Sequence, residues 1–109
     1  MNNHITKKKI DDKDVYFITF SDELRSTISD TLMFDRDDLI GIRDMCESML
    51  SGEDNEKSLS SGDKYSYVNG GSGVYIISFR ISDNYYKGYY FGFRNVKLLI
   101  SSINSIIKG

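Results

Sequence analysis

The chain has 109 residues, 39% of them hydrophobic and 13% aromatic, with a formal charge of −2. This length predicts one domain that buries roughly 60–70% of its unfolded surface, and the apolar content excludes global disorder. The weak negative balance lacks the basic footprint of a duplex-DNA binder and is too small for a DNA mimic.

Residues 1–9 carry charge but no apolar segment of the secretory type, and no apolar run approaches the roughly 20 residues of a membrane-spanning helix. The expected location is the cytoplasm. Cys46 is the one cysteine, so no internal disulfide can form, which a reducing compartment permits. Ala, Pro, Gln and Trp are absent while Ile, Asn, Lys, Tyr and Ser abound. That bias follows codon use in an AT-rich genome, bacterial or phage.

Along the chain, Ile5–Ile10 is predicted as a short strand whose three lysines suit an exposed edge. Asp11-Asp12-Lys13-Asp14 turns the chain into Val15–Phe20, which alternates as a half-buried strand does. Ser26–Phe34 is the second such strand. Asp35 is placed to cap a helix whose first turn holds Asp37 and Asp38 at its positive end. The apolar stripe of that helix is Leu39, Ile42, Cys46, Met49 and Leu50, and Gly52 suits a left-handed ending. Residues 53–63 are polar and read as a flexible linker. The pattern then recurs: strand Lys64–Val68, turn Asn69–Gly73, strand Val74–Phe79, strand Tyr85–Phe93, cap Asn95, and a stripe of Val96, Leu99, Ile103, Ile106 and Ile107 before Gly109.

Val15-Tyr16-Phe17-Ile18-Thr19-Phe20 matches Val74-Tyr75-Ile76-Ile77-Ser78-Phe79 at an offset of 59, which also carries Phe34 onto Phe93. In the helices the offset is 57. Such self-similarity points to an internal duplication of a βββα unit, with copies at 1–52 and 64–109. The expected fold class is α+β: one antiparallel sheet of five or six strands with two helices on one face. Tyr16, Ile18, Phe20, Tyr75, Ile77, Phe79, Leu32, Phe34, Phe91 and Phe93 are expected in the helix-covered core.

The other sheet face should be polar if it meets water, yet it carries Phe17, Met33, Ile76, Tyr86 and Tyr90, with Gly88 and Gly92 among them. A contiguous apolar patch of that kind marks an interaction surface.

Catalytic chemistry is thinly provided. His4 is the only histidine, near the N-terminus, and Cys46 lies on an apolar stripe where a buried inert thiol belongs. One Cys and one His cannot build an ordinary zinc site. Asp11, Asp12 and Asp14 suit a turn, and Asp35, Asp37 and Asp38 a helix start, without calcium-loop spacing. The Asn69–Gly73 loop lacks the lysine and Ser/Thr ending of a phosphate loop. No enzyme activity, cofactor or metal is therefore expected.

The sequence points to a small non-enzymatic binding protein acting through protein–protein contact, with a homodimer as its simplest form. A phage or mobile-element inhibitor of a host defence protein would suit such a chain. The expected partner surface is Phe17, Met33, Ile76, Tyr86, Lys87, Tyr90 and Arg94, since Tyr is enriched at interface hot spots. The alternative is a single-stranded nucleic-acid module using residues 85–94, where aromatics interleave with Lys87 and Arg94. Lys87-Gly88-Tyr89 and Phe91 resemble the start of the RNA-recognition signature, but Tyr90, Gly92 and Arg94 depart from it.

Overall fold

The computed structural model describes residues 4–22, 29–52, 56–57, 65–71, 73–83 and 85–108. The elements are β1 (His4–Ile10), β2 (Lys13–Ser21), β3 (Ser29–Phe34), α1 (Arg36–Ser51), β4 (Glu56–Lys57), β5 (Tyr65–Gly71), β6 (Val74–Ser82), β7 (Tyr85–Gly92) and α2 (Phe93–Lys108). The fold class is α+β, with three strands before α1 and four before α2.

Local chemistry accounts for the element ends. Asp11 and Asp12 both take positive φ, 51° and 63°. A two-residue turn of that hand matches the twist of paired strands, so β1 and β2 zip from Ile10–Lys13 to His4–Thr19. The lysine-rich segment is thus a paired edge strand. At α1, the Asp38 N–H donates to Asp35 Oδ1 at 2.7 Å and the Asp35 N–H donates to Asp38 Oδ2 at 3.1 Å. Gly52 closes the helix at φ 74°. Asp35→Ala should cost about 1 kcal/mol through loss of this reciprocal cap. A thermal melt followed by circular dichroism checks it, and an unchanged midpoint would assign the helix start to packing alone.

The start of α2 differs from the expected one. The helix begins at Phe93, whose N–H donates to the Gly73 carbonyl at 3.0 Å. A turn carbonyl, rather than a capping side chain, takes the first donor. Asn95, the expected cap, is instead a buried residue of the first turn.

The strands do not form the expected single sheet. They pair antiparallel into two, β1-β2-β3 and β4-β5-β6-β7. Within the expected linker, Glu56 and Lys57 pair with Val68 and Tyr67 of β5. The outer edges of β3 and β7 would have to join to make one sheet, and side chains occupy that seam. The Tyr90 N–H of β7, which an added strand would use, instead donates to Asp22 Oδ2 at 3.1 Å.

The sheets meet face to face through aromatic rings. Phe20 lies 4.5 Å from Phe79, 5.7 Å from Tyr89 and 6.1 Å from Phe91, centroid to centroid. Each helix spans both sheets: α1 packs on β2, β3 and β5, and α2 on β1 and β7. The helices also pack on each other, joined by an Arg43–Asn104 hydrogen bond of 3.2 Å. Gly41 makes the α1–β5 approach close, since a Cβ there would fall on the Tyr65 hydroxyl. One buried cluster takes residues from both halves, including Tyr16, Ile18, Phe20, Leu39, Ile42, Tyr75, Ile77, Phe79, Val96 and Leu99.

The register revises the internal match. Tyr16 pairs with Phe34, and Tyr75 pairs with Phe91. The offset of 59 therefore holds for β2 and β6, and 57 holds from the next strand onward. Phe34 corresponds to Phe91, not Phe93, and Phe93 is 49% exposed at the head of α2 rather than in the core. Leu32 is partly buried against the core, while Tyr89, Met45 and Tyr67, absent from the expected set, are buried.

Candidate interaction surface

In this corrected alignment, contacts between the halves join matching positions. Phe20 meets Phe79, separated by 59 in sequence, and Asp30 meets Lys87, separated by 57. The α1–β5 and α2–β1 contacts exchange under the same match.

At the seam, Lys87 Nζ lies 2.6 Å from Asp30 Oδ2, and the buried Tyr89 hydroxyl donates to the same oxygen at 2.9 Å. The hydrogen bonds from Lys87 and Tyr89 hold the Asp30 carboxyl below its ordinary value, against the effect of burial. Burial, aided by Asp30, pushes the Tyr89 hydroxyl well above its own.

The seven residues expected at the partner surface fall in separate places. Phe17 and Met33 are cross-strand neighbours on the outer face of the first sheet. Lys8 Nζ sits 5.5 Å from the Phe17 ring centre, and Met33 is 60% exposed. Ile76 pairs with both Tyr90 and Val68 on the outer face of the second sheet. Tyr86 pairs with Arg80 farther along β7. Lys87 is turned into the seam and tied to Asp30. Arg94 lies in the first turn of α2, off either sheet. For the nucleic-acid reading, this places Lys87 in an ion pair and buries Tyr89 and Phe91.

The two ends of the seam differ. At one end, Asp22 covers the backbone of β7. The matching position at the other end is Ile81. There the β6–β7 register shifts between Arg80 and Ser82, leaving Ile81 as an extra residue. Bulges of this kind re-aim side chains beside functional surfaces. A groove of about 450 Å³ opens at this point, lined by Leu32, Met33 and Phe34 of β3 and by Phe79–Ser82 of β6 with Asp83. Arg80 and Asp83 pair across its end at 3.3 Å. β3 pairs only with β2 among the described residues, so its other edge borders this groove. Sequence reasoning missed Arg80 and Ile81. The signal was present as an apolar residue standing where the first half has Asp22.

Among the described residues, no three His, Cys, Asp or Glu side chains stand together as a metal-binding group, and no helix is long and apolar enough to cross a membrane. The Cys46 side chain is buried on α1, and desolvation pushes its thiol up to about 12. It should therefore resist an aromatic disulfide reagent at pH 8 and react fully once urea unfolds the chain. Rapid labelling of the folded protein would contradict that burial.

No protein-family model, curated protein or solved structure matches the chain.

Proposed function

We propose that this is a non-enzymatic protein-binding module that engages its partner at the groove beside β3. The carrying observation is the open groove with Met33 and Ile81 exposed at its rim, adjoining a strand edge without a pairing strand among the described residues. An extended partner segment can add to such an edge through its backbone while its side chains use the groove. The partner can be a second copy, pairing β3 with β3, or a host protein. Stoichiometric inhibition of a host protein, as by a phage or mobile element, suits a chain with so little catalytic equipment. The contacts between matching positions support an origin by duplication, in which one chain of a single domain replaced two subunits. The difference between Asp22 and Ile81 would then be what left one end of the seam free to bind.

The test places a photo-crosslinking residue at Met33, or at Ser105 on α2 as control, with the protein expressed in its native host. A discrete adduct at Met33 that Ile81→Glu abolishes is the expected result. An adduct of doubled mass identifies the homodimer, and another mass identifies a foreign partner. Equal adducts at both positions, or none, would overturn the reading.

A further inference from the structure

The outer surface of α2 is basic. The helix carries Arg94, Lys97 and Lys108 and no acidic residue, within a chain whose formal charge is −2. The helix α1, by contrast, exposes Asp37, Asp44 and Glu47. Arg94, Lys97, Leu98 and Ser101 follow one another at helical spacing, so they form one stripe. All are exposed, Leu98 by 38%, with Phe93 at the stripe's head.

The cations in this stripe are available. Arg94 and Lys97 form no ion pair among the described residues, whereas Arg43, Arg80 and Lys87 are each engaged by a carboxylate. Lys97 lies 5.3 Å from the Phe93 ring centre, which leaves its ammonium beside an apolar surface.

Two shallow grooves meet at Lys97 and Ser101. One, of about 490 Å³, is lined by Phe93, Arg94, Lys97, Leu98 and Ser101. The other, of about 350 Å³, lies between the helices and adds Glu47, Leu50 and Ile100. Together they make a double furrow with apolar walls, with Arg94 and Lys97 along it and with Glu47, paired to Arg43 at 3.5 Å, at the far wall.

We infer that this surface is a second docking site, distinct from the β3 groove, and that its occupant is an acidic amphipathic helix of a partner protein. Apolar side chains of such a helix at i, i+3 or i+4 and i+7 fit the two furrows, and its flanking carboxylates meet Arg94 and Lys97. Two free cations on an acidic chain are a poor match for a nucleic-acid backbone, whose affinity grows with the number of phosphates neutralised. They are also few for an anionic membrane surface, where basic residues crowd the polar face of the helix.

The probe is a fluorescein-labelled 18-residue peptide with leucines at those spacings and glutamates between them. Its control carries lysine for every glutamate, and a 20-nucleotide oligothymidine tests the other polyanion. Anisotropy on the full chain at 50 mM salt should show saturable binding of the acidic peptide. Amide shifts should centre on residues 93–101 and 47–50. Arg94→Glu with Lys97→Glu should weaken binding at least tenfold with an unchanged melting midpoint, and Leu98→Ser should weaken it separately. The proposal is overturned if the acidic peptide fails to bind, if the lysine peptide binds equally well, if oligothymidine binds more tightly, or if the shifts map to Met33 and Ile81. Failure here leaves the β3 groove standing, because the Met33 crosslink reports on that site alone.

Discussion

Replacing Phe20 with alanine should lower stability by about 3–5 kcal/mol, the range for truncating a buried phenylalanine. Its ring is fully buried and meets Phe34, Phe79, Tyr89 and Phe91. The loss therefore strikes both sheets together. Small domains have only about 5–15 kcal/mol in total. At about 4–8 °C per kcal/mol, the melting midpoint should fall by roughly 12–40 °C. Phe79→Ala should behave alike, because its ring is equally buried and meets Phe20, Phe34 and Tyr89. The double variant should cost less than the sum, since each single change already opens the shared 4.5 Å contact. Phe17→Ala is the contrast: its ring is only half-buried on the outer face, so the cost should be far smaller. Urea unfolding of the four variants measures all of this. Equal losses at Phe17 and Phe20 would show that the aromatic cluster is not what joins the halves.

Much of this core was legible in the sequence, and the reasons for the misses are specific. Alternation in Val15–Phe20 and Val74–Phe79 assigned Tyr16, Ile18, Phe20, Tyr75, Ile77 and Phe79 to the inner face, because a strand has no other way to bury every second residue. Asp35, Asp38 and Gly52 gave α1 its ends for equally local reasons. Phe93 was misplaced because the connections differ in length. β2 ends at Ser21 and β3 begins at Ser29, whereas only residues 83–84 separate β6 from β7. An alignment carried across both hairpins at constant offset therefore slips by two, and a slip of two leaves the face parity intact and the error silent. The division into two sheets was not legible either. It rests on Asp22 reaching Tyr90 and on Asp30 reaching Lys87 and Tyr89, contacts between residues 57 to 68 apart that no periodicity encodes. The expected partner surface scattered for a related reason. Alternation sorts residues between faces of a strand, but it does not say whether two strands belong to one sheet.

Asp30→Ala should be the most costly change in the polar part of the seam, at about 1–3 kcal/mol, because it strands the buried Tyr89 hydroxyl without this acceptor. Tyr89→Phe should cost less, since Asp30 keeps Lys87. Lys87→Met should cost least, at about 1 kcal/mol or below, because both members of the ion pair are about one-third exposed, 33% and 34%. The pH dependence follows from the carboxyl. Lys87 first and Tyr89 second hold its folded value below the ordinary 3.8. A group depressed in the folded state contributes stability above its unfolded value and loses it as pH falls through the folded one. Asp30→Asn keeps an acceptor for Tyr89 but cannot carry the charge. The advantage of the wild type over Asp30→Asn should therefore be constant from pH 5 to 7 and shrink below about pH 3.8. At the alkaline end the sign reverses. Tyr89 is raised above its ordinary 10.0 by burial first and by Asp30 next, so the unfolded chain ionises it earlier and stability falls as pH passes 10.0. Tyr89→Phe should remove part of that alkaline loss and also shrink the acid limb, since the hydrogen bond from Tyr89 is the second of the two that hold the Asp30 carboxyl down, while Lys87 keeps the rest of that limb. Unfolding free energies from urea titrations at pH 2.5, 5, 7 and 10.5 separate the two limbs. A wild-type advantage over Asp30→Asn that persists undiminished at pH 2.5 would mean that the Asp30 charge is not what the seam uses.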